Sequence, residues 1–163
     1  MSWVVAVPER LPDDQVREVV RSLVLRHEVL RTTFDADGDG RPRQSVHEDV
    51  LVAALPHIED EQSRHLFVET PFDVTSESPI RFGRTSAGDL IFVVSHIAAD
   101  GTGAWILVDE LTELLAARAQ RRDARLGADV PQPVDRACHE RAGGRPRADP
   151  ACGTGTPRCG SSL

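Results

Sequence analysis

The sequence predicts an α+β fold: a two-layer sandwich in which one mostly antiparallel sheet carries helices on one face. Three observations lead to this prediction. Apolar residues recur at three- and four-residue spacing in long segments, which is typical of amphipathic helices. Short β-branched runs alternate with those segments, and turn-forming sequences join several of the runs into hairpins. The predicted order is strand, helix, hairpin, helix, hairpin, helix.

The first two elements are a short strand and a long helix. The run WVVAV, Trp3 to Val7, is apolar and β-branched, as strands are. Pro12 and the two acids after it are typical of a helix N-terminus, where the helix dipole favours negative charge. A stripe at helical spacing then predicts a helix of about four turns. The stripe consists of Val16, Val19, Val20, Leu23, His27 and Leu30.

A hairpin and a shorter helix are predicted next. Residues 32–34 are β-favouring, and the sequence DADGDG after them is rich in turn residues. Residues 44–46 supply the second strand of this hairpin. The segment 58–68 predicts a helix that stops before Pro71.

A second hairpin and a third helix complete the fold. Strands are predicted over 80–85 and 90–95, joined by the turn residues 86–89. The helix follows Gly103 and ends within 118–122. Its predicted buried face consists of Ala104, Leu107, Val108, Leu111, Leu114 and Leu115.

Charge and hydropathy limit the partners and the location. The chain has 163 residues, a net charge of −7 and a pI near 5.3, whereas a nucleic-acid-binding face must be basic. No apolar stretch approaches the ~20 residues that span a bilayer, and no secretory signal is recognisable at the N-terminus. We therefore expect a cytoplasmic protein with no nucleic-acid or membrane partner.

A change in composition near residue 122 predicts a domain boundary. Residues 1–119 hold 11 Arg and 21 acids, whereas residues 120–163 hold 8 Arg, 5 acids and all three Cys. The odd cysteine count and the lack of a CxxC pair argue against a zinc site or a disulfide framework. We predict a lobe over 1–122. For 123–163 we expect a Gly/Pro/Arg-rich tail, either disordered or read out of frame.

The segment SHIAADGTG, Ser95 to Gly103, is the strongest candidate for chemistry. It follows the apolar strand and precedes the last helix, so it brings His96 to an edge that a substrate can reach. Imidazole suits general-base catalysis because its ordinary pKa lies near neutrality. Asp100 and Gly101 are expected to form a tight bend. The alternative interpretation is a polar turn in which Thr102 caps the helix.

The segment RHEVLRTTF, Arg26 to Phe34, is the second candidate. Read by itself, it is a solvated helix end, since cations are favoured at helix C-termini. A buried aspartate would instead pair with one of its arginines. We predict that Asp100 pairs with Arg31 or, less favourably, with Arg26.

Together the two segments resemble the condensation domains of nonribosomal peptide synthetases, a family with the chloramphenicol acetyltransferase fold. RHEVLRTTF meets every fixed position of the family motif RHExLRTxF. In the family's HHxxxDG motif, Ser95 replaces the first His, while the second His, the Asp and the Gly are present. ETPFD, Glu69 to Asp73, followed by PIR at 79–81, is also similar to the family. The resemblance covers roughly residues 1–122 and implies one lobe of that fold.

This resemblance implies an acyltransferase that joins a carrier-bound acyl or aminoacyl thioester to an amine. His96 takes the catalytic position, while Asp100, Gly101, Arg26, Arg31 and Ser95 support the site. No cofactor is expected to be bound, and the substrates would arrive on the phosphopantetheine arms of carrier proteins. The Ser95 departure leaves open an O-acyltransferase with the pattern HxxxD. A catalytically dead interaction module is the non-enzymatic alternative.

Length is the main departure from the family, whose members carry a second lobe that closes the substrate tunnel. We therefore expect an inactive half-domain, completed by another chain or associating with itself through the exposed face. Two rival interpretations are disfavoured. DADGDG imitates a calcium loop, but Val46 stands where a bidentate Glu is needed. Ser95 and His96 are strand neighbours in the predicted fold and could not share a proton as in a Ser-His-Asp triad.

Overall fold

The structure is a computed structural model, and it describes residues 1–8, 11–48, 55–127 and 132. The chain divides into two units, Met1–Ala128 and Asp129–Leu163, and every element given below belongs to the first. Most of the predicted tail over 123–163, with its three cysteines, lies outside the described residues.

The described elements follow the predicted order, with one additional short strand and a 3₁₀ turn. The strands are β1 (Ser2–Val5), β2 (Thr32–Ala36), β3 (Pro42–Val46), β4 (His57–Ile58), β5 (Ile80–Thr85) and β6 (Leu90–Val94). The helices are α1 (Asp13–Arg26), α2 (Glu61–Glu69) and α3 (Gly101–Ala119), and the 3₁₀ turn is Glu28–Arg31.

The main sheet has the strand order β1-β6-β5-β4. β6 pairs antiparallel with both β1 and β5, and only the two-residue β4 runs parallel to its neighbour. Aromatic rings in register join the three antiparallel strands: Phe92 stacks on Trp3 at 5.5 Å and lies 6.0 Å from Phe82. β2 and β3 form a separate antiparallel hairpin. The predicted α+β class with a mostly antiparallel sheet is therefore confirmed.

The core lies between the sheet and the helices α1 and α3. Val16, Leu23, Leu111 and Leu115 from the two helices are almost fully buried there, together with Phe92 of the sheet. The predicted helical stripes thus face the sheet, as a 3.6-residue period requires.

The expectation that all helices share one face holds for α1 and α3, whereas α2 differs. Because side chains alternate across a strand, Gly83 points away from Phe82 and from the main core. A Cβ built at Gly83 would lie 3.3 Å from Phe67 of α2 and 2.8 Å from Ile58. α2 therefore contacts the sheet from the opposite side.

Several helices begin or end at other residues than predicted, because the capping residues set where a helix starts and stops. α1 stops at Arg26, and the last stripe residue, Leu30, is buried from the 3₁₀ turn instead. α2 starts at Glu61, since the Asp60 carboxylate accepts a hydrogen bond from the Ser63 backbone N–H. Similarly, α3 starts before Gly103 rather than after it.

Candidate functional site

His96 lies in the turn that directly follows β6, one of the two inner strands of the main sheet, and it is exposed. Because β6 ends at Val94, Ser95 and His96 lie beyond the strand and not on it, contrary to the expectation above. The His96 ring makes no hydrogen bond within the described part of the chain.

Backbone hydrogen bonds shape the loop that carries His96. The N–H of Ser95 donates to the carbonyl of Pro79 at 2.8 Å, which fastens the loop to the start of β5. The Ser95 carbonyl in turn accepts hydrogen bonds from the N–H groups of Ala98 and Ala99, at 3.0 and 3.3 Å. His96 therefore projects from a closed turn whose base is held by the sheet.

Asp100 caps α3 and forms no ion pair with any described arginine, so the predicted pairing with Arg31 or Arg26 is wrong. Its Oδ1 accepts a hydrogen bond from the N–H of Gly103 at 2.7 Å. The residue is exposed, so its carboxylate needs no buried cation. The helix cap belongs to Asp100 and not to Thr102.

Gly101 occupies the first position of α3 without a left-handed backbone. Within the described residues, the glycines with positive φ are Gly40 and Gly88. A Cβ at Gly101 would meet no atom within 4 Å. The expected tight bend at Asp100 and Gly101 therefore does not use the backbone freedom of glycine, and the space above Gly101 is open.

Arg26 and His27, in the second motif, bind a carboxylate of α3. The Arg26 Nε donates to both Glu110 oxygens, Oε1 at 3.0 Å and Oε2 at 3.1 Å. The His27 Nε2 lies 2.7 Å from Glu110 Oε2, and both His27 and Glu110 are buried. Arg26 Nη2 also donates to the carbonyl of Gly127 at 2.9 Å. The motif is therefore a buried network and not a solvated helix end.

Arg31, the other predicted partner of Asp100, instead binds groups close to it in the fold. Its Nη1 donates to the carbonyl of His47 at 2.6 Å, next to β3. Its Nη2 lies 3.4 Å from the Glu28 carboxylate. Arg31 thus ties the 3₁₀ turn to the β2–β3 hairpin.

The ETPFD segment is held by an arginine of the following PIR. Arg81 stacks over the Phe72 ring at 3.9 Å and donates to the carbonyls of Thr70 and Pro71, at 2.8 and 3.2 Å. The N–H of Phe34 in β2 donates to the Val74 carbonyl at 2.8 Å. The segment therefore joins the hairpin to the sheet.

Three large apolar side chains are exposed in the loop of His96 and on the helix that follows it. Ile97 is 49% exposed in the same turn, and Trp105 and Ile106, in the early turns of α3, are 61% and 45% exposed. We call these three residues the apolar patch. Such side chains carry a free-energy cost in water that burial against a partner would remove.

Sequence reasoning missed Glu110, the acid that the second motif binds. The sequence does indicate that Glu110 lies on the buried face of α3, because it follows Leu107 by three residues and directly precedes Leu111. An acid at a core position requires a cation or donors facing it. The sequence alone does not say which ones.

The described residues contain neither a membrane-spanning helix nor a metal-binding cluster. No helix there is long and apolar enough to cross a membrane. No group of three or more His, Cys, Asp or Glu in that part of the chain is arranged to hold a metal ion. In DADGDG, the Asp35 carboxylate pairs with Arg43, and Asp37 accepts hydrogen bonds from the turn backbone.

Comparison with known proteins shows similarity to condensation domains and to nonribosomal peptide synthetases. The family model described as Condensation domain matches residues 1–131. Tyrocidine synthase 2 of Brevibacillus parabrevis is 32% identical over 124 residues, which cover 71% of this chain and 3% of that protein. A beauvericin nonribosomal cyclodepsipeptide synthetase of Gibberella fujikuroi is 34% identical over 119 residues, which cover 68% of this chain and 4% of that protein.

Among solved structures, the complex of the X-domain and OxyB from teicoplanin biosynthesis contains a similar fold. The two align with a TM-score of 0.71 and 25% identity, over 87% of this chain and 33% of that one. The chain therefore spans a few per cent of the curated relatives and about one third of the solved chain.

Proposed function

This chain belongs to the condensation domain family, and we propose that it supplies the histidine-bearing lobe of an acyltransferase of nonribosomal peptide or related biosynthesis. The reaction joins a carrier-bound acyl or aminoacyl thioester to an amine, with formation of an amide bond. The observation that supports this most is the place of His96. It stands exposed at the end of β6, in a motif typical of the family.

In this reaction the amine nitrogen attacks the thioester carbonyl, the C–S bond breaks and the carrier thiol leaves. The amine loses a proton as the amide forms. A neutral imidazole at His96 accepts that proton or holds the amine by a hydrogen bond. Asp100 supports this chemistry indirectly, because it caps the helix that follows the loop.

The acyl groups are proposed to arrive on the phosphopantetheine arms of carrier protein domains, with no cofactor bound by the chain itself. Thioesters suit such a site because their thiolate is a better leaving group than an alkoxide or an amide. The carriers are therefore the first expected partners. A cytoplasmic location stays a prediction.

A second lobe is the other proposed partner, contributed by another polypeptide or by further sequence of the same protein. The alternative is association of two copies of this chain. The apolar patch of Ile97, Trp105 and Ile106 supports either contact, since Ile97 belongs to the loop of His96 and the other two lie on the helix that follows it. Closing this surface would also exclude water from the imidazole.

We expect the chain alone to form little or no product with a carrier-bound donor and an amine acceptor. General acid–base catalysis contributes only about 10²–10⁴-fold, whereas positioning of the two substrates contributes more. One lobe leaves His96 in bulk solvent, where neither substrate is held. Mass spectrometry of the products, for the chain alone and for a mixture with a second lobe from the same locus, measures this.

In the mixture, His96→Ala is expected to remove most of the turnover. His65→Ala is the matched control, since His65 is also an exposed histidine but lies on α2. His96-dependent product from the chain alone would contradict the need for a second lobe. A mixture that turns over equally well with His96→Ala would contradict the catalytic assignment and favour an interaction module.

Ester formation is the second candidate function. Ser95 stands where the first His of the family motif is expected, which leaves the HxxxD pattern of O-acyltransferases. One relative is named as a cyclodepsipeptide synthetase, and a depsipeptide contains ester bonds. Offering the mixture an amine and the corresponding alcohol in competition distinguishes the two functions, because the product masses differ.

A further inference from the structure

A buried polar network at the α1–α3 contact is not used by the chemistry proposed for His96. At its centre is Glu110, whose side chain is 11% exposed, beside His27 at 7%. The carboxylate faces Arg26 and His27, the last residue of α1 and its C-cap. Arg26 in addition holds the backbone of Gly127, in the segment after α3.

A network of buried charges stabilises a contact between two helices less than its number of hydrogen bonds suggests. Removing charged groups from water is unfavourable, and apolar replacements of similar volume are often as stable. Glu110 lies on the face of α3 that Leu107, Leu111 and Leu115 share, where leucine would pack. Unlike leucine, a carboxylate that binds Arg26 Nε and His27 Nε2 favours the placement of the two helices that keeps these hydrogen bonds.

The placement of α3 matters because the helix begins at the loop of His96. α3 runs without interruption from Gly101 to Ala119. Its first turn is closed by the Asp100 cap, and the N–H of Ala104 donates to the Asp100 carbonyl at 2.9 Å. A rotation or slide of this helix against α1 therefore moves the loop that presents the imidazole.

We propose that Glu110 is a positioning residue: by binding Arg26 and His27 it sets α3 on α1 and so fixes the loop of His96 relative to the sheet. The two motifs are coupled through this carboxylate and not through Asp100. The inference rests on the function proposed for His96, but the coupling itself is measurable without turnover.

Glu110→Gln tests the proposal because it keeps the side-chain shape and removes the charge. Glu113→Gln is the matched control: this acid lies on the same helix and binds two nitrogens of Arg122, but no residue of α1. Amide hydrogen exchange is followed by NMR at Ala104, next to the loop, and at Phe92, in the centre of the sheet. The ring signals of His96 are recorded in the same samples.

For Glu110→Gln we expect exchange at Ala104 to accelerate by about tenfold or more relative to Phe92, as loss of a charge-assisted hydrogen bond implies. The His96 ring signals are expected to shift. Glu113→Gln should change neither the exchange ratio nor those signals. His27→Gln, which keeps an N–H donor, should preserve more of the parent behaviour than His27→Ala.

Equal acceleration at Ala104 and Phe92 would mean that the network only stabilises the fold, and the proposal would be overturned. Unchanged exchange and unchanged His96 signals would overturn it as well. If Glu110→Gln does not fold, the pair His27→Ala and His27→Gln gives the same comparison. A mixture with a second lobe that forms no product, although the coupling is intact, would instead contradict the function proposed for His96.

Discussion

At the scale of single residues, Asp100 acts on the backbone of α3. Its side chain satisfies the N–H of Gly103, one of the donors that a helix N-terminus leaves without an intrahelical partner. The Asp of the family motif therefore shapes the loop by capping the helix. For this role, the hydrogen bond that its oxygen accepts matters more than its charge.

Asp100→Ala is expected to lower the free energy of unfolding by about 0.5–2 kcal/mol, the usual cost of losing an N-cap. Asp100→Asn should cost far less, because the amide oxygen accepts the same hydrogen bond. Urea unfolding midpoints of the two variants measure the difference. Equal losses for Ala and Asn would point to an ion pair instead of a cap.

Glu113 gives a pH-dependent contribution to stability. Hydrogen bonds from Arg122 and, next in size, from the backbone N–H of Arg125 lower its pKa from 4.5 to about 2. A depressed carboxyl pKa stabilises the fold above pH 4.5, and this contribution disappears as the pH falls towards 2.

The stability difference between the parent chain and Glu113→Gln should therefore shrink as the pH is lowered from about 6 to about 2. Urea unfolding at a series of pH values measures it. The side chain is partly exposed, so salt should weaken the effect. A difference that stays constant over this range would contradict the assignment.

At the scale of elements, α2 and the sheet meet at a glycine in β5. A Cβ at Gly83 would lie 2.8 Å from Ile58 Cδ1, 3.2 Å from the Pro56 carbonyl oxygen and 3.3 Å from Phe67 Cζ. The methyl of Ile58 can move, but the Pro56 backbone cannot follow without shifting β4. The close approach therefore favours glycine over any residue with a side chain.

Gly83→Val is expected to destabilise the fold by about 1–3 kcal/mol, the usual cost of overpacking, and Gly83→Ala by less. Gly101→Ala is the control, since a Cβ there would be in open space at a helical position. Thermal unfolding of the three variants measures this. If Gly83→Val unfolded at the parent temperature, the contact between α2 and β5 would be in error.

At the scale of the whole molecule, the apolar patch of Ile97, Trp105 and Ile106 is expected to drive association. We predict that the chain self-associates at high concentration and that Trp105→Ser weakens this. Leu66→Ser is the control, since Leu66 is 68% exposed but lies on α2. Sedimentation velocity at several concentrations measures both. Equal effects of the two substitutions would show that exposure alone, and not the patch, causes association.

The sequence by itself determined the order of the elements apart from β4 and the 3₁₀ turn, and it determined both hairpins and the buried stripes of α1 and α3. These depend on local causes: side-chain periodicity, turn residues and the preferences of β-branched side chains. It also determined the family, because the residues of the motifs around Arg26 and His96, and the distance between the two motifs, can be read directly from the sequence. The positions of helix ends were less certain, since a cap such as Asp60 or Asp100 shifts them by a few residues.

Only the tertiary structure decided which charges meet. Arg26 is 84 residues from Glu110 in the chain. No local pattern indicates that Arg26 faces Glu110 while Asp100 caps its own helix. The face of the sheet that α2 contacts was decided in the same way, by Gly83. Pairing of charges depends on distance and burial, and both are set by the packing of segments distant in sequence.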